Sequence, residues 1–180
     1  MQAWQRLDDG SDVIKAGYRT IVQKRFRKND GNEVVASIDG KDGGQAAGVV
    51  ALTPEGQVII ARQFRCGPER VMEELPAGMV DGDEDPLQAA KRELQEETGY
   101  TADSFEYLGM TYVNAWDSMI RHYYFATNCY HVGGSNPDDL EEIEVATISI
   151  ADFIENARTA NMTDVQAVFL AYDKLKQLEG

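Results

Sequence analysis

The segment from Asp85 to Gly99 is written as a helix with both of its ends marked. Asp85 is a helix-capping side chain, with Gln88 three residues on. Pro86 suits the first helical position, where a missing N–H loses nothing, and Gly99 supplies the stop. Between these limits Leu87, Ala90 and Leu94 recur at i, i+3 and i+7, a stripe that must be buried against another element. Glu93, Glu96 and Glu97 stand at i, i+3 and i+4 on one face. That face borders the apolar stripe instead of opposing it, so the carboxylates are expected at the margin of a core.

The partners of this helix are strands. From Trp4 to about Gly44 the chain is β-prone and punctuated by turns: residues 17–26 and 33–38 flank the hairpin sequence Lys28-Asn29-Asp30-Gly31-Asn32, and a glycine-rich junction covers 39–44. Residues 47–52 and 57–64 are apolar enough for buried strands and flank Thr53-Pro54-Glu55-Gly56. More strands are expected at 105–114, 121–128 and 143–148. Ser149 caps one closing helix, and Thr163 with Gln166 has the form of a capping box for another that runs to about Leu178. Strands, helix, strands, helix is the order of an α/β or α+β domain with a mixed sheet between helices. The expected division is a small N-terminal antiparallel β lobe over 1–44 and the main domain over 45–180.

Charge removes several classes of function. The chain of 180 residues has 17 Lys and Arg against 31 Asp and Glu, a net charge of −14. Such a surface repels nucleic-acid backbones and anionic membranes, yet a local cluster of cations can still hold a small anionic substrate. Two cysteines, Cys66 and Cys129, are too few for a disulfide framework. The first residues lack the basic-then-apolar order of a signal peptide, and no apolar run approaches the roughly 20 residues that span a bilayer. The expectation is a soluble cytoplasmic protein.

Three carboxylates on one helical face either form a solvated surface or hold a cation. Like charges at this spacing cost about 0.2–0.5 kcal/mol per pair. A hard divalent ion reverses that sign, and clustered carboxylate oxygens beside substrate phosphates are what Mg²⁺ or Mn²⁺ prefers. The surrounding sequence decides between the two. From Gly78 to Tyr100 it reads Gly-x5-Glu-x7-Arg-Glu-Leu-x-Glu-Glu-x-Gly-Tyr, carried by Gly78, Glu84, Arg92, Glu93, Leu94, Glu96, Glu97, Gly99 and Tyr100. This resembles the Nudix box, the signature of hydrolases that cleave nucleoside diphosphates linked to another moiety. Seven fixed positions at about 5–7% usage each make a chance match on the order of 10⁻⁸ or rarer per window. Tyr100 departs from the family, which more often has an aliphatic residue there.

The resemblance implies a loop–helix–loop at the mouth of an α/β/α sandwich. It implies metal ligation by Glu93, Glu96 and Glu97, a brace of Arg92 against Glu84, and a Gly78 that permits the turn of the loop. The carbonyl of Ala77 is a further implied ligand. Gln63-Phe64-Arg65 followed by Glu74-Leu75-Pro76-Ala77-Gly78, together with the strand lobe and the ending Glu141-Glu142-Ile143-Glu144-Val145 with the later Thr163-Asp164, resembles the subgroup that hydrolyses ADP-ribose and other nucleoside diphosphate sugars. Membership of that subgroup implies a homodimer with exchanged N-terminal strands that help form the substrate pocket.

Several residues then become substrate candidates. Arg65 can fork onto two phosphate oxygens, or stand as an ordinary arginine at a strand end. Glu74 is a metal ligand or a partner for a substrate hydroxyl, or a solvated or capping residue. Tyr18 stacks on a purine or packs in its strand. The acidic stretch Asp138-Asp139-Leu140-Glu141-Glu142 occupies the loop that in the subgroup supplies a catalytic base or extra ligand; Glu141 is the first choice, ahead of Asp139 and Glu142. Many ADP-ribose pyrophosphatases carry a proline about fifteen residues past the box, where this chain reads Tyr112-Val113-Asn114-Ala115-Trp116-Asp117-Ser118. Trp116 and Asp117 therefore occupy the loop expected to face the distal sugar, or Trp116 is simply a packing residue, and the sugar stays open.

The reading is a Mg²⁺-dependent hydrolase of ADP-ribose or a related sugar nucleotide. Two rivals stand beside it: a Nudix hydrolase of nucleoside triphosphates or dinucleoside polyphosphates, which the N-terminal lobe argues against, and a non-catalytic nucleotide sensor, for which clustered carboxylates would be pointless.

Overall fold

The computed structural model describes residues 1–7, 12–17, 19–40, 43–134 and 142–179. Its contacts fall into two units, Met1–Gln45 with Tyr112–Ile120, and Ala46–Thr111 with Arg121–Gly180.

In the first unit β-branched residues and a tight turn make an antiparallel sheet of β1 (Gln5–Arg6), β2 (Asp12–Ala16), β3 (Arg19–Arg27) and β4 (Glu33–Asp39). The β3–β4 hairpin closes through Lys28–Asn32, where Gly31 takes φ 86° and its N–H donates to the Lys28 carbonyl at 3.0 Å. Register runs from Arg27↔Glu33 to Ile21↔Asp39. On the other side of β3 lie β2, with Ile14 opposite Ile21, and β1, with Arg6 opposite Phe26. The Tyr112–Ile120 segment joins this unit by an Asp39 N–H that donates to the Trp116 carbonyl at 2.7 Å.

The second unit contains, apart from the end residues Gln45, Tyr112 and Ile120, β5 (Gln45–Ala51), β6 (Val58–Arg65), β7 (Arg70–Glu74), β8 (Ala77–Met79), α1 (Pro86–Thr98), β9 (Tyr100–Thr101), β10 (Phe105–Tyr112), β11 (Ile120–Ala126), β12 (Tyr130–His131), β13 (Ile143–Ile148), α2 (Ile150–Arg158) and α3 (Val165–Glu179). One sheet has the order β10-β11-β5-β8 and another β13-β6-β7, joined where Leu52 bridges Val58. β5 and β8 are antiparallel. β5 and β11 run the same way, since Ile120 donates to Gly44 at one end and Leu52 to Ala126 at the other. The sheet is mixed.

Period-two alternation sends consecutive residues of each central strand to opposite faces. Val50 of β5 and Leu52 just beyond it, Ile60 of β6, and Tyr123 and Phe125 of β11 pack with Phe153 of α2 and Ala167, Ala171 and Leu175 of α3. Ala47, Val49 and Ala51, with Ile59, Tyr124 and Ala126, pack with Ala89, Ala90 and Leu94 of α1. Each fully buried Val, Leu, Ile or Phe contributes about 1.5–3 kcal/mol. This is the expected α/β/α sandwich, with α1 on one face and α2 and α3 on the other.

Two short strands that the sequence does not announce, β7 and β8, frame the turn Leu75–Pro76. α3 begins at Val165, two residues beyond Thr163. The Thr163 hydroxyl is spent on a strand neighbour, so the capping box is replaced by a tertiary bond.

Candidate active site

α1 starts and stops where its sequence demands. The Asp85 carboxylate accepts from the Leu87 N–H at 2.8 Å, Pro86 opens the helix, and Gly99 at φ 73° closes it with its N–H on the Gln95 carbonyl. Once Leu94 is buried between Ala89, Ala90 and the sheet, the glutamates on either side of it are carried to the edge of β8. Glu97 is only 2% exposed, and its Oε2 accepts from the Ala77 N–H at 3.1 Å. The backbone whose carbonyl is the candidate metal ligand is thus fixed by one of the candidate glutamates.

Glu93 reaches the neighbouring residue. A Cβ on Gly78 would lie 2.0 Å from Glu93 Oε1. Gly78 pairs with Ala47 and is not among the glycines with positive φ, so its absent side chain serves a close approach and not a turn. On the other face of this strand row a Cβ on Gly48 would meet the Ala77 methyl at 3.1 Å and the Tyr123 ring at 3.5 Å.

Arg92 ties the loop to the helix. Its Nε and Nη2 both donate to Glu84, at 3.1 Å each, and Nη2 also donates to the Met79 carbonyl at 2.8 Å. Nη1 donates to Glu93 at 2.6 Å and Glu96 at 3.0 Å. The hydrogen bonds to Glu84 hold the guanidinium proton-bound against the opposing effect of burial, and Arg92 in turn pulls the Glu84 carboxyl below its usual range. Among the described residues no three His, Cys, Asp or Glu side chains stand grouped as a cation cage, for Arg92 sits between Glu93 and Glu96 while Glu97 faces a backbone amide. The donor set itself fits a hard divalent ion: carboxylate oxygens from one helical turn, an adjacent carbonyl, and a glycine that leaves Glu93 room.

The other sequence candidates separate by location. Arg65 ends β6 with its side chain 42% exposed, and its Nε donates to Glu74 Oε2 at 2.5 Å. Glu74 is buried and also accepts from Thr163, so its carboxylate is engaged by protein donors. Trp116 and Asp117 belong to the first unit; Trp116 is largely exposed, and Asp117 Oδ1 accepts from the Met119 N–H at 2.7 Å. Tyr18, Asp139 and Glu141 lie outside the described residues, and Glu142 is exposed.

A second polar group escaped the sequence reading. Asp164 Oδ1 accepts from the buried Tyr123 hydroxyl at 2.9 Å and from Arg121 Nη1. In the sequence Thr163-Asp164 counts toward the subgroup resemblance and as a polar pair ahead of a helix, which reads equally as a cap; neither announces the bonds to Tyr123 and Arg121.

A family model of the NUDIX domain matches residues 43–171. The chain belongs to the Nudix family. Among curated relatives it is 31% identical over 135 residues to an ADP-ribose pyrophosphatase of Bacillus subtilis (strain 168), a match spanning 73% of each chain. It is 29% identical over 127 residues to a GDP-mannose pyrophosphatase of Yersinia enterocolitica, spanning 65% of each. The fold superposes on the crystal structure of an ADP compounds hydrolase with a TM-score of 0.79, over 98% of this chain and 96% of that one, at 20% identity.

Proposed function

We propose that this Nudix protein hydrolyses the diphosphate of ADP-ribose or a related nucleoside diphosphate sugar to a nucleoside monophosphate and a sugar phosphate. The observation that carries the reading is the complete acidic turn of α1, Glu93, Glu96 and Glu97, braced by Arg92 and set against Ala77 and Gly78. The ADP-ribose and GDP-mannose pyrophosphatases among its relatives support the substrate class.

Glu93, Glu96, Glu97 and the Ala77 carbonyl would hold Mg²⁺, with Mn²⁺ as a substitute. Bound there, the cation neutralises diphosphate charge and acidifies water. The remaining work belongs to the chain. Arg92 keeps the glutamates on one turn from spreading apart, and Arg65 offers a guanidinium edge to phosphate oxygens. Water attacks one phosphorus as the bridging P–O bond breaks. Its proton passes to a carboxylate of the 138–142 loop, Glu141 in the first instance, and the departing phosphate leaves as an anion. Tyr18, Trp116, Asp117 and Glu74 complete the proposed contacts to base, sugar and their supports.

Residues 1–44 are assigned to dimerisation with exchanged strands and to the substrate pocket. Support comes from β2, whose Val13 and Ile14 are exposed on an edge strand. The reading places the protein in the cytoplasm; among the described residues no helix is long and apolar enough to cross a membrane. The test is a panel of ADP-ribose, GDP-mannose, other sugar nucleotides, a dinucleoside polyphosphate and nucleoside triphosphates, each with Mg²⁺ and Mn²⁺, products identified by mass. Monophosphate plus sugar phosphate is expected. Turnover confined to triphosphates or dinucleotides, or ligand binding with no turnover at all, would refute it.

A further inference from the structure

Thr163 and Asp164 lie between α2 and α3, and their side chains reach into the strands. Asp164 anchors the pair through Tyr123 and Arg121. Thr163 Oγ1 donates to Glu74 Oε1 at 2.5 Å, and the other oxygen of that carboxylate, Oε2, accepts from Arg65 Nε at 2.5 Å. Glu74 is 2% exposed, so its charge has little water to answer it and depends on these two donors.

The register explains why Arg65 can reach. Ala61 opposes Glu74, Gln63 opposes Met72 and Arg65 opposes Arg70, which puts Arg65 and Glu74 on one face of the β6–β7 hairpin, four residues apart along β6. The arginine side chain has to run back along the sheet to meet the carboxylate. Without that bond it would swing from the hairpin end into solvent. By occupying Oε1, Thr163 leaves Oε2 as the oxygen for Arg65. That bond uses Nε, so the Nη1 and Nη2 donors are not spent on Glu74.

We infer that Thr163 is a positioning residue for substrate binding, acting through Glu74 to hold Arg65 with its terminal edge ready for the diphosphate. The inference rests on the reading above, in which Arg65 contacts phosphate, and concerns how the chain keeps it there.

Steady-state kinetics on the panel substrate turned over best, with Mg²⁺, test it in wild type, Thr163→Val, Thr163→Ser, Arg65→Ala and the Thr163→Val/Arg65→Ala double variant. Thr163→Val keeps the shape and loses the donor; its KM should rise about fivefold or more with kcat within about twofold. Thr163→Ser should restore KM. In the Arg65→Ala background Thr163→Val should add nothing further, since the group it positions is gone. If Thr163→Val does not fold, Thr163→Ala goes through the same cycle with the same expectation. An unchanged KM in Thr163→Val, a Thr163→Ser as damaged as the valine, or additive losses in the double variant would overturn the inference alone. A wild type without turnover, or an Arg65→Ala with unchanged KM, would overturn the underlying reading and this inference with it.

Discussion

Glu93 Oε1 stands 2.0 Å from the point where a Cβ of residue 78 would lie, so the carboxylate occupies the space that glycine leaves empty. Gly78→Ala must push Glu93 off β8 or move the strand from Ala47. The variant is expected to fold, to bind Mn²⁺ at least about tenfold more weakly by calorimetry, and to lose activity in proportion. Affinity equal to wild type would show that Glu93 is not held in place by this contact.

Glu97→Gln changes one atom at a buried position. The amide can still present its carbonyl oxygen to the Ala77 N–H, so the melting temperature should stay within a few degrees. The lost charge should lower kcat by at least about a hundredfold. Turnover within a few-fold of wild type would remove Glu97 from the catalytic set.

The Arg92–Glu84 clamp makes part of the stability depend on acidity. Hydrogen bonding to Arg92 holds the folded Glu84 carboxyl below the usual glutamate range. Its contribution is therefore complete above the unfolded pKa and is lost as pH falls through the folded one. Glu84→Gln should melt about 3–6 °C below wild type at pH 7, corresponding to about 1–2 kcal/mol, and the gap should narrow progressively as pH falls below the ordinary glutamate range. A gap that stays constant across thermal melts from pH 3 to 7 would contradict the clamp.

The two free cysteines should separate cleanly. Cys66 is exposed, whereas Cys129 is buried and burial pushes its thiol up to about 11. A disulfide reagent at pH 8 is expected to titrate one thiol quickly in the native protein and the second only in denaturant. Two fast equivalents would mean that the core around Cys129 opens readily.

Elements whose signals are local were legible in the sequence. Asp85, Pro86 and Gly99 delimit α1 because caps act over a few bonds, Ser149 starts α2 for the same reason, and the strand at 143–148 coincides with β13. The mixed sheet followed from the order of elements. β7, β8 and the roles of Thr163 and Asp164 did not, because each depends on a partner distant in sequence: Thr163 meets Glu74, and Asp164 meets Arg121 and Tyr123. A threonine ahead of a helix looks the same whether its hydroxyl caps that helix or crosses to a strand. Gly78 was located correctly for the wrong reason, since the crowding comes from a side chain fifteen positions away (93 − 78) and leaves no trace in local composition.

Ala77 is gripped from two directions, its amide hydrogen by Glu97 and its methyl by the narrow gap over Gly48. A main chain so wedged has no slack to drift under mutation. Descendants of this protein that acquired a taste for a different sugar would be expected to vary elsewhere along the polypeptide, with β8 held constant.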